Sequence, residues 1–181
     1  ADGTRMIALG TLALWLALMA SVYAVATSVY GALRGRADFV ASGERGAWTA
    51  MASIVVATGV MLQALVTSDF SIRYVAGYSS TTLPLRYRIS ALWGGMDGSL
   101  LFWALVLVVL SSLVLWQNRN RNRELMPWVT ATLMTITAFF ALMLVFLTPP
   151  FATLPFVPAE GTDLNPLLQN YWMSIHPPAL Y

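Results

Sequence analysis

The single histidine, His176, has the side chain best suited to chemistry in this 181-residue chain. Pro177 and Pro178 follow it directly. Proline is favoured in the first turn of a helix, so this pattern predicts that Pro177 opens a helix and that His176 caps it. The N-terminal end of a helix favours the neutral imidazole, which is the form that a transition metal such as haem iron binds. The alternative is a polar residue at the mouth of an apolar helix.

A glycine-rich turn at residues 93–98 (WGGMDG) is the second candidate site. Three glycines in five residues allow the backbone to turn tightly and to approach a flat partner, and we include Trp93 among the candidate cofactor-binding residues. Asp97 is placed to cap the helix that follows. The alternative is that the segment is only a helix start with a glycine turn. It is not a phosphate-binding loop, because it lacks the lysine and has the wrong spacing.

Arginines and tyrosines lie close to one another between residues 73 and 88 and form the third candidate site. The members of this group are Arg73, Arg86, Arg88, Tyr74, Tyr78 and Tyr87. Arginine binds carboxylates in a bidentate manner and stacks on aromatic planes, so the group suits a planar ligand that carries propionates. We predict Arg86 and Arg88 as the propionate partners. The alternative is a solvated loop that contacts lipid headgroups.

The remaining polar features offer little chemistry. Residues 163–170 (DLNPLLQN) place a turn residue before a proline and then a short apolar helix start, and no catalytic role follows from them. Gln63 lies inside an apolar run and is predicted to hold two helices together. The chain has no cysteine, and we find no Ser-His-Asp set, carboxylate pair or cluster of metal ligands in the sequence. We therefore do not expect these residues to be an active enzyme on their own.

Composition identifies the class of protein that must position these residues. The chain is 58% hydrophobic and 10% charged, with a mean hydropathy of +0.68. Soluble domains have about 25% charged residues, so an integral membrane protein is predicted. A disordered segment is excluded by the lack of polar residues, and the absence of lysine-rich tracts excludes a nucleic-acid-binding protein.

Runs without charged residues locate the membrane-spanning helices, each of which needs roughly 20 apolar residues. The predicted spans are at about 6–29, 47–66, 99–116 and 128–147. The fold class is therefore an all-α integral membrane protein with four transmembrane helices, long connecting segments at 67–98 and 148–181, and a chain that ends at the start of a fifth span. Residues 148–158 contain four prolines and are predicted to be ordered but not helical.

Arginine counts orient the helices in the membrane. The two short loops, at 30–46 and 117–127, carry six arginines, and the opposite side carries four. The positive-inside rule then places the short loops in the cytoplasm and both long segments in the periplasm. Aromatic residues beside the loop arginines support this orientation: Tyr30, Trp48, Trp116 and Trp128. The long segments exceed the length needed to connect helices, so we expect them to carry the function.

Together these motifs resemble the CcmF haem lyase family of bacterial system I cytochrome c maturation, with its CycK and nitrite-reductase-maturation members. The matching stretches, in order and spacing, are 69–76 (DFSIRYVA), 83–88 (LPLRYR), 93–95 (WGG), 98–101 (GSLL), 163–169 (DLNPLLQ), and 176–178 (HPP) with Leu180 and Tyr181. The resemblance covers nearly the whole chain. Its most specific part runs from DLNPLLQ to HPP.

The resemblance implies that His176 is the first of two periplasmic histidines that flank haem b, and that it is an axial ligand of the haem iron. In this family a membrane haem chaperone delivers haem. The lyase then promotes thioether bonds to the CxxCH thiols of an apocytochrome c, which a thioreduction and presentation subunit supplies. The second histidine, a tryptophan-rich WWD segment and two histidines within spans are expected outside residues 1–181.

We therefore interpret residues 1–181 as the N-terminal transmembrane part of a longer, multi-pass protein of the bacterial inner membrane, with a periplasmic functional face. The competing hypothesis is a non-catalytic scaffold subunit of an assembly or respiratory complex. An ion-translocating subunit is disfavoured, because the predicted spans hold no ionisable side chain of the kind that such a pathway needs.

Overall fold

The computed structural model describes residues 2–180, with side chains described for residues 3–179. Within this range the regular structure is helical, apart from one isolated bridge between Ile72 and Thr153. The α-helices are α1 (Asp2–Arg34), α2 (Ala37–Thr67), α3 (Arg73–Tyr78), α4 (Leu85–Ser90), α5 (Met96–Gln117), α6 (Met126–Leu142) and α7 (Tyr171–Leu180). Three short elements complete the fold: a 3₁₀ turn at Ala91–Trp93, a π-helical extension of α6 at Met143–Leu147, and a 3₁₀ turn at Pro166–Leu168.

Four helices in the described range are long and apolar enough to cross a membrane, which confirms the prediction of four spans. They are Gly3–Arg34, Ala37–Thr67, Met96–Gln117 and Met126–Leu147. Residues 148–158 are ordered without forming a helix, as their prolines predict. The predicted start of a fifth span at Tyr181 lies outside the described residues.

The predicted loop over residues 30–46 is wrong, because only Gly35 and Arg36 separate α1 from α2. Gly35 makes the turn with a φ of 63°, in the left-handed region that glycine adopts freely. Charged residues end a charge-free run, but they do not end a helix that emerges from the membrane. Asp38 illustrates this, since a carboxylate in the first turn of α2 is favoured by the helix dipole and also pairs with Arg36 at 2.6 Å.

Small residues line the contact between α1 and α2. The buried alanines and glycines of these two helices include Ala13, Ala17, Ala20, Ala24, Gly31, Gly43, Gly46, Ala47, Ala50 and Ala57. In lipid there is little hydrophobic drive between helices, so close backbone approach and van der Waals contact hold them together. Helix α6 packs against α1, and α5 packs against α2. These contacts build a four-helix bundle that supports the long segments at one end.

Within residues 3–179 Gln63 does not join helices, contrary to the prediction. Its side chain is exposed and lines a cavity of about 380 Å³ between the start of α1 and the end of α2, together with Met6 and Asp69. A polar residue near the end of a long span can face water at the membrane surface, so it does not need a partner on a neighbouring helix.

Candidate functional site

The two long segments, residues 68–95 and 148–180, come together at one end of the bundle, and we call them the cap. Backbone hydrogen bonds join them from Arg73 to Ala152 at 2.8 Å and from Leu154 to Ser71 at 3.1 Å. Further along, the Thr162 amide donates to the Ala76 carbonyl at 2.8 Å. The cap is therefore one ordered unit and not two independent loops.

Side chains reinforce this seam between the two segments. The Ser80 hydroxyl donates to Asp163 Oδ1 at 3.2 Å, and the Thr81 amide donates to Glu160 Oε1 at 2.8 Å. The Thr81 hydroxyl also donates to the other oxygen of the same carboxylate. Gly161 allows the two segments to approach closely, because a Cβ at this position would lie 2.0 Å from the Ser79 carbonyl oxygen.

The hydrogen bonds from Thr81 hold the pKa of the Glu160 carboxyl below its ordinary value of 4.5. A carboxyl whose pKa is lower in the folded state contributes stability above its unfolded pKa, and this contribution disappears as the pH falls through the folded pKa. We therefore expect the seam to be fully closed at neutral pH and to loosen in acid.

Glu160→Gln tests this expectation, because glutamine keeps the shape of the side chain and removes the charge. We expect faster amide exchange at Thr81 in the variant at pH 7, and an acid-dependent loss of protection, corrected for intrinsic exchange rates, in the wild type alone. Hydrogen–deuterium exchange of the full-length protein measures both. Equal protection of the two proteins at every pH would show that the carboxylate does not support the seam.

The glycine turn packs against tyrosines of this chain. The buried Tyr74 hydroxyl donates towards the Ala91 and Leu92 carbonyls, at 2.8 and 3.1 Å, and accepts from the Gly95 amide at 3.0 Å. A Cβ on Gly95 would lie 2.3 Å from the ring of Tyr78. Tyrosine rings of this chain therefore occupy part of the space beside the glycines, and α5 begins within the turn, at Met96. A contact of the turn with a flat cofactor stays a prediction.

Asp97 does not cap α5, because Gly95 holds the N-cap position and Asp97 lies in the first turn. Its carboxylate still lies near the positive end of the helix dipole. It also pairs with Arg73 at 3.4 Å and so connects α3 to α5. This pairing gives Arg73 a partner that the sequence did not indicate.

Residues 163–169 (DLNPLLQ) form a compact turn beneath α7. Asp163 adopts a φ of 72° and accepts from the Leu164 amide at 2.8 Å, and Asn165 caps the 3₁₀ turn by accepting from the Leu167 amide at 3.0 Å. Leu164 is buried, and its Cδ1 would lie 2.8 Å from a Cβ on Gly94. The motif therefore packs locally and contacts the glycine turn.

His176 is not a helix cap, so this prediction is wrong. Helix α7 starts five residues earlier, at Tyr171, and contains both prolines. The Asn170 side chain accepts from the Trp172 amide at 3.0 Å and so supplies the N-terminal hydrogen bond that was expected of His176. The helix-dipole argument for a neutral imidazole therefore no longer applies, because His176 does not lie at the N-terminus of a helix. The imidazole is exposed and makes no side-chain hydrogen bond within the described part of the chain.

Trp93 connects the glycine turn to the helix that carries His176. Proline has no amide hydrogen, so Pro178 leaves the carbonyl of Ser174, four residues earlier, without its helical donor. The Trp93 indole donates to this carbonyl at 2.8 Å. The ring of Trp93 also packs on Phe102 of α5 with centroids 5.1 Å apart. The second proline and the tryptophan thus form one docking contact for α7.

Trp93→Phe should loosen α7, because phenylalanine keeps an aromatic ring but cannot donate to the Ser174 carbonyl. A neutral hydrogen bond contributes about 1 kcal/mol, so we expect amide exchange in residues 174–176 to rise roughly fivefold. Trp172→Phe is the matched control, since Trp172 is 75% exposed and its indole has no hydrogen-bond partner in the described region. The same increase in both variants would contradict the docking role of Trp93.

The two predicted propionate partners differ in their surroundings. Arg88 donates to three backbone carbonyls, those of Leu83 at 2.8 Å, Val66 at 3.1 Å and Thr81 at 2.5 Å, so it holds the cap onto α2. Arg86 is exposed, lies over the ring of the adjacent Tyr87, and has no carboxylate partner among the described residues. A propionate role stays a prediction for both, and Arg86 has the freer guanidinium.

Known proteins resemble this chain over most of its length. Residues 93–181 match the model of the cytochrome C assembly protein family. The cytochrome c-type biogenesis protein CcmF of Escherichia coli (strain K12) is 39% identical over 171 residues, which cover 94% of this chain and 26% of that protein. This chain belongs to the CcmF family. The CycK protein of Rhizobium meliloti (strain 1021) is 37% identical over 97% of this chain and 26% of its own length.

A solved structure, titled cytochrome c haem lyase CcmF, has the same fold. It matches with a TM-score of 0.79 and 26% identity, covering 97% of this chain and 27% of that structure. This chain is therefore a multi-pass membrane protein of the CcmF family. It spans about a quarter of the length of the curated relatives that it matches.

Proposed function

We propose that the cap is part of the haem-handling face of a cytochrome c haem lyase. In this proposal the full-length protein receives haem b from a membrane haem chaperone. It positions the haem for thioether attachment to the CxxCH thiols of an apocytochrome c, which a thioreduction and presentation subunit delivers. The cap lies on the periplasmic side of the bacterial inner membrane. The observation that carries the proposal is the exposed imidazole of His176, which has no hydrogen-bond partner among the described residues and lies on a helix that Trp93 contacts in a CcmF-family chain.

The surface of α7 suits a large planar ligand. Helix α7 lies outside the four spans, and several of its apolar or aromatic residues are exposed. Their exposed fractions are 62% for Tyr171, 75% for Trp172, 50% for Met173 and 44% for Ile175. Apolar patches of this kind mark surfaces that another molecule covers. A histidine within an apolar, aromatic surface is the donor set that haem iron accepts, so these residues fit the group.

The residues of this chain act by positioning. Trp93 and the DLNPLLQ turn hold α7, and His176 on α7 would bind the haem iron. Arg86 offers a guanidinium for a propionate, and the aromatic residues of α7 exclude water from an apolar ring face. Haem supplies the vinyl groups that react with thiols, and a fixed orientation of the reactants accounts for most of the gain in rate.

Deleting the gene in its native host tests the proposal at the level of function. We expect c-type cytochromes with covalently attached haem to disappear, while cytochromes with non-covalent haem remain, and haem-stained gels measure the first. The full-length protein should restore them. Normal levels of c-type cytochromes after deletion would overturn the proposal, and a protein that restores them without ever retaining haem would favour the scaffold hypothesis.

Arg86→Gln should weaken haem retention by the full-length protein about fivefold, because an exposed ion pair contributes up to about 1 kcal/mol. Haem-to-protein ratios after purification in detergent measure the change. Arg5→Gln is the matched control, since Arg5 is also exposed and lies in the first turn of α1, at the same end of the bundle. Equal retention by wild type and Arg86→Gln would remove Arg86 from the site.

A further inference from the structure

A basic pocket lies at the opposite end of the bundle from the cap. It has a volume of about 240 Å³ between α2, the end of α5 and the start of α6. Its lining consists of Glu44, Trp48, Leu115, Trp116, Arg119, Arg123 and Met126. The walls combine two tryptophans, two buried apolar side chains and three charged groups. We propose that this pocket binds the phosphodiester headgroup of an anionic phospholipid such as phosphatidylglycerol.

The charges of the pocket favour a singly charged anion. Arg123 pairs with Glu44 at 2.8 Å, so these two groups neutralise each other. Arg119 has no carboxylate within ion-pair distance among residues 3–179, and its guanidinium carbon lies 5.6 Å from the centre of the Trp116 ring. The pocket therefore keeps one net positive charge, which a phosphodiester group would balance.

The apolar part of the pocket favours a lipid over a free anion. Leu115 and Met126 are buried in its wall, whereas Trp48 and Trp116 are 43% and 56% exposed. Tryptophan with this exposure is typical of the membrane interface, where the ring lies at the level of the lipid headgroups. Basic pockets between transmembrane helices are the places where anionic headgroups bind.

The test uses the full-length protein in a zwitterionic detergent, and native mass spectrometry measures the affinity of short-chain phosphatidylglycerol, short-chain phosphatidylcholine and inorganic phosphate. We expect phosphatidylglycerol to bind at least tenfold more tightly than phosphatidylcholine. Arg119→Gln should lower the phosphatidylglycerol affinity about fivefold, which corresponds to about 1 kcal/mol for an arginine near the membrane surface. Glu44→Gln should raise the affinity, because it removes the charge that neutralises Arg123.

Arg121→Gln is the matched control, because it removes the same charge from the same loop at a residue that does not line the pocket. We expect it to change the affinity less than twofold. Equal losses in Arg119→Gln and Arg121→Gln would overturn the proposal in favour of diffuse attraction to the loop. Equal binding of the two lipids would also overturn it, and so would inorganic phosphate that displaces phosphatidylglycerol at equal concentration.

Discussion

Gly98→Ala should strongly destabilise the cap of the full-length protein. Gly98 is buried at the start of α5, and a Cβ there would lie 2.1 Å from the Leu92 carbonyl oxygen and 2.4 Å from the Tyr74 hydroxyl. The backbone carbonyl cannot move without opening the turn that ends at Trp93. Overpacking a tight site costs about 1–3 kcal/mol, and we expect a value at the upper end of this range. Thermal unfolding in detergent, followed by tryptophan fluorescence, measures the loss.

Gly77→Ala is the control for this prediction, because Gly77 is exposed in α3 and a Cβ there meets nothing within 4 Å. Alanine is a better helix former than glycine by about 1 kcal/mol, so this variant should be as stable as the wild type or slightly more stable. Equal stability of Gly98→Ala and Gly77→Ala would show that the glycine turn is looser than the structure has it.

His176→Ala should lower the yield of mature cytochrome c at least tenfold without changing the stability of the protein. The imidazole is exposed and has no hydrogen-bond partner within residues 3–179, so its removal leaves no buried group unsatisfied. A side chain that binds the haem iron would, in contrast, help to fix the position of the cofactor, and small displacements of reactants slow a reaction strongly. Haem staining of cytochrome c in complemented cells measures the yield.

Ile175→Ala is the control for His176→Ala, since it shortens an exposed side chain at the adjacent position of α7. Because Ile175 offers only apolar contact to the proposed haem surface, this variant should lower the yield much less than His176→Ala at equal protein level. A wild-type yield from His176→Ala would remove His176 from the mechanism. An equal loss in both variants would point to the packing of α7 and not to the imidazole.

The four spans and their approximate bounds could be predicted from the sequence, because the cost of charges in lipid leaves a direct mark on composition. The start of α2 was missed for the same reason. Arg45 and Glu44 interrupt the apolar run, yet the helix extends through them to Ala37. Charged residues mark the edge of the membrane, whereas the boundary between α1 and α2 lies where Gly35 turns the chain.

The contacts within the cap could not be predicted. Thr81 and Glu160 are 79 residues apart, and short polar segments carry no periodicity that would pair them. The capping role assigned to His176 failed because Pro177 and Pro178 are tolerated inside α7, where Trp93 satisfies a carbonyl that Pro178 leaves free. The haem contact expected of Trp93 was inferred from the glycines beside it in the sequence. Its hydrogen bond to the Ser174 carbonyl could not be predicted, because it depends on how the cap folds.

The most direct test of the central claim, that His176 ligates haem on the cap, is the absorbance spectrum of the purified native-length protein. It is recorded oxidised and reduced, for the wild type and for His176→Ala, after expression with a full supply of haem. We predict a sharp reduced haem spectrum in the wild type that weakens or shifts in the variant. A wild type without haem, or a variant with an unchanged spectrum, would contradict the claim.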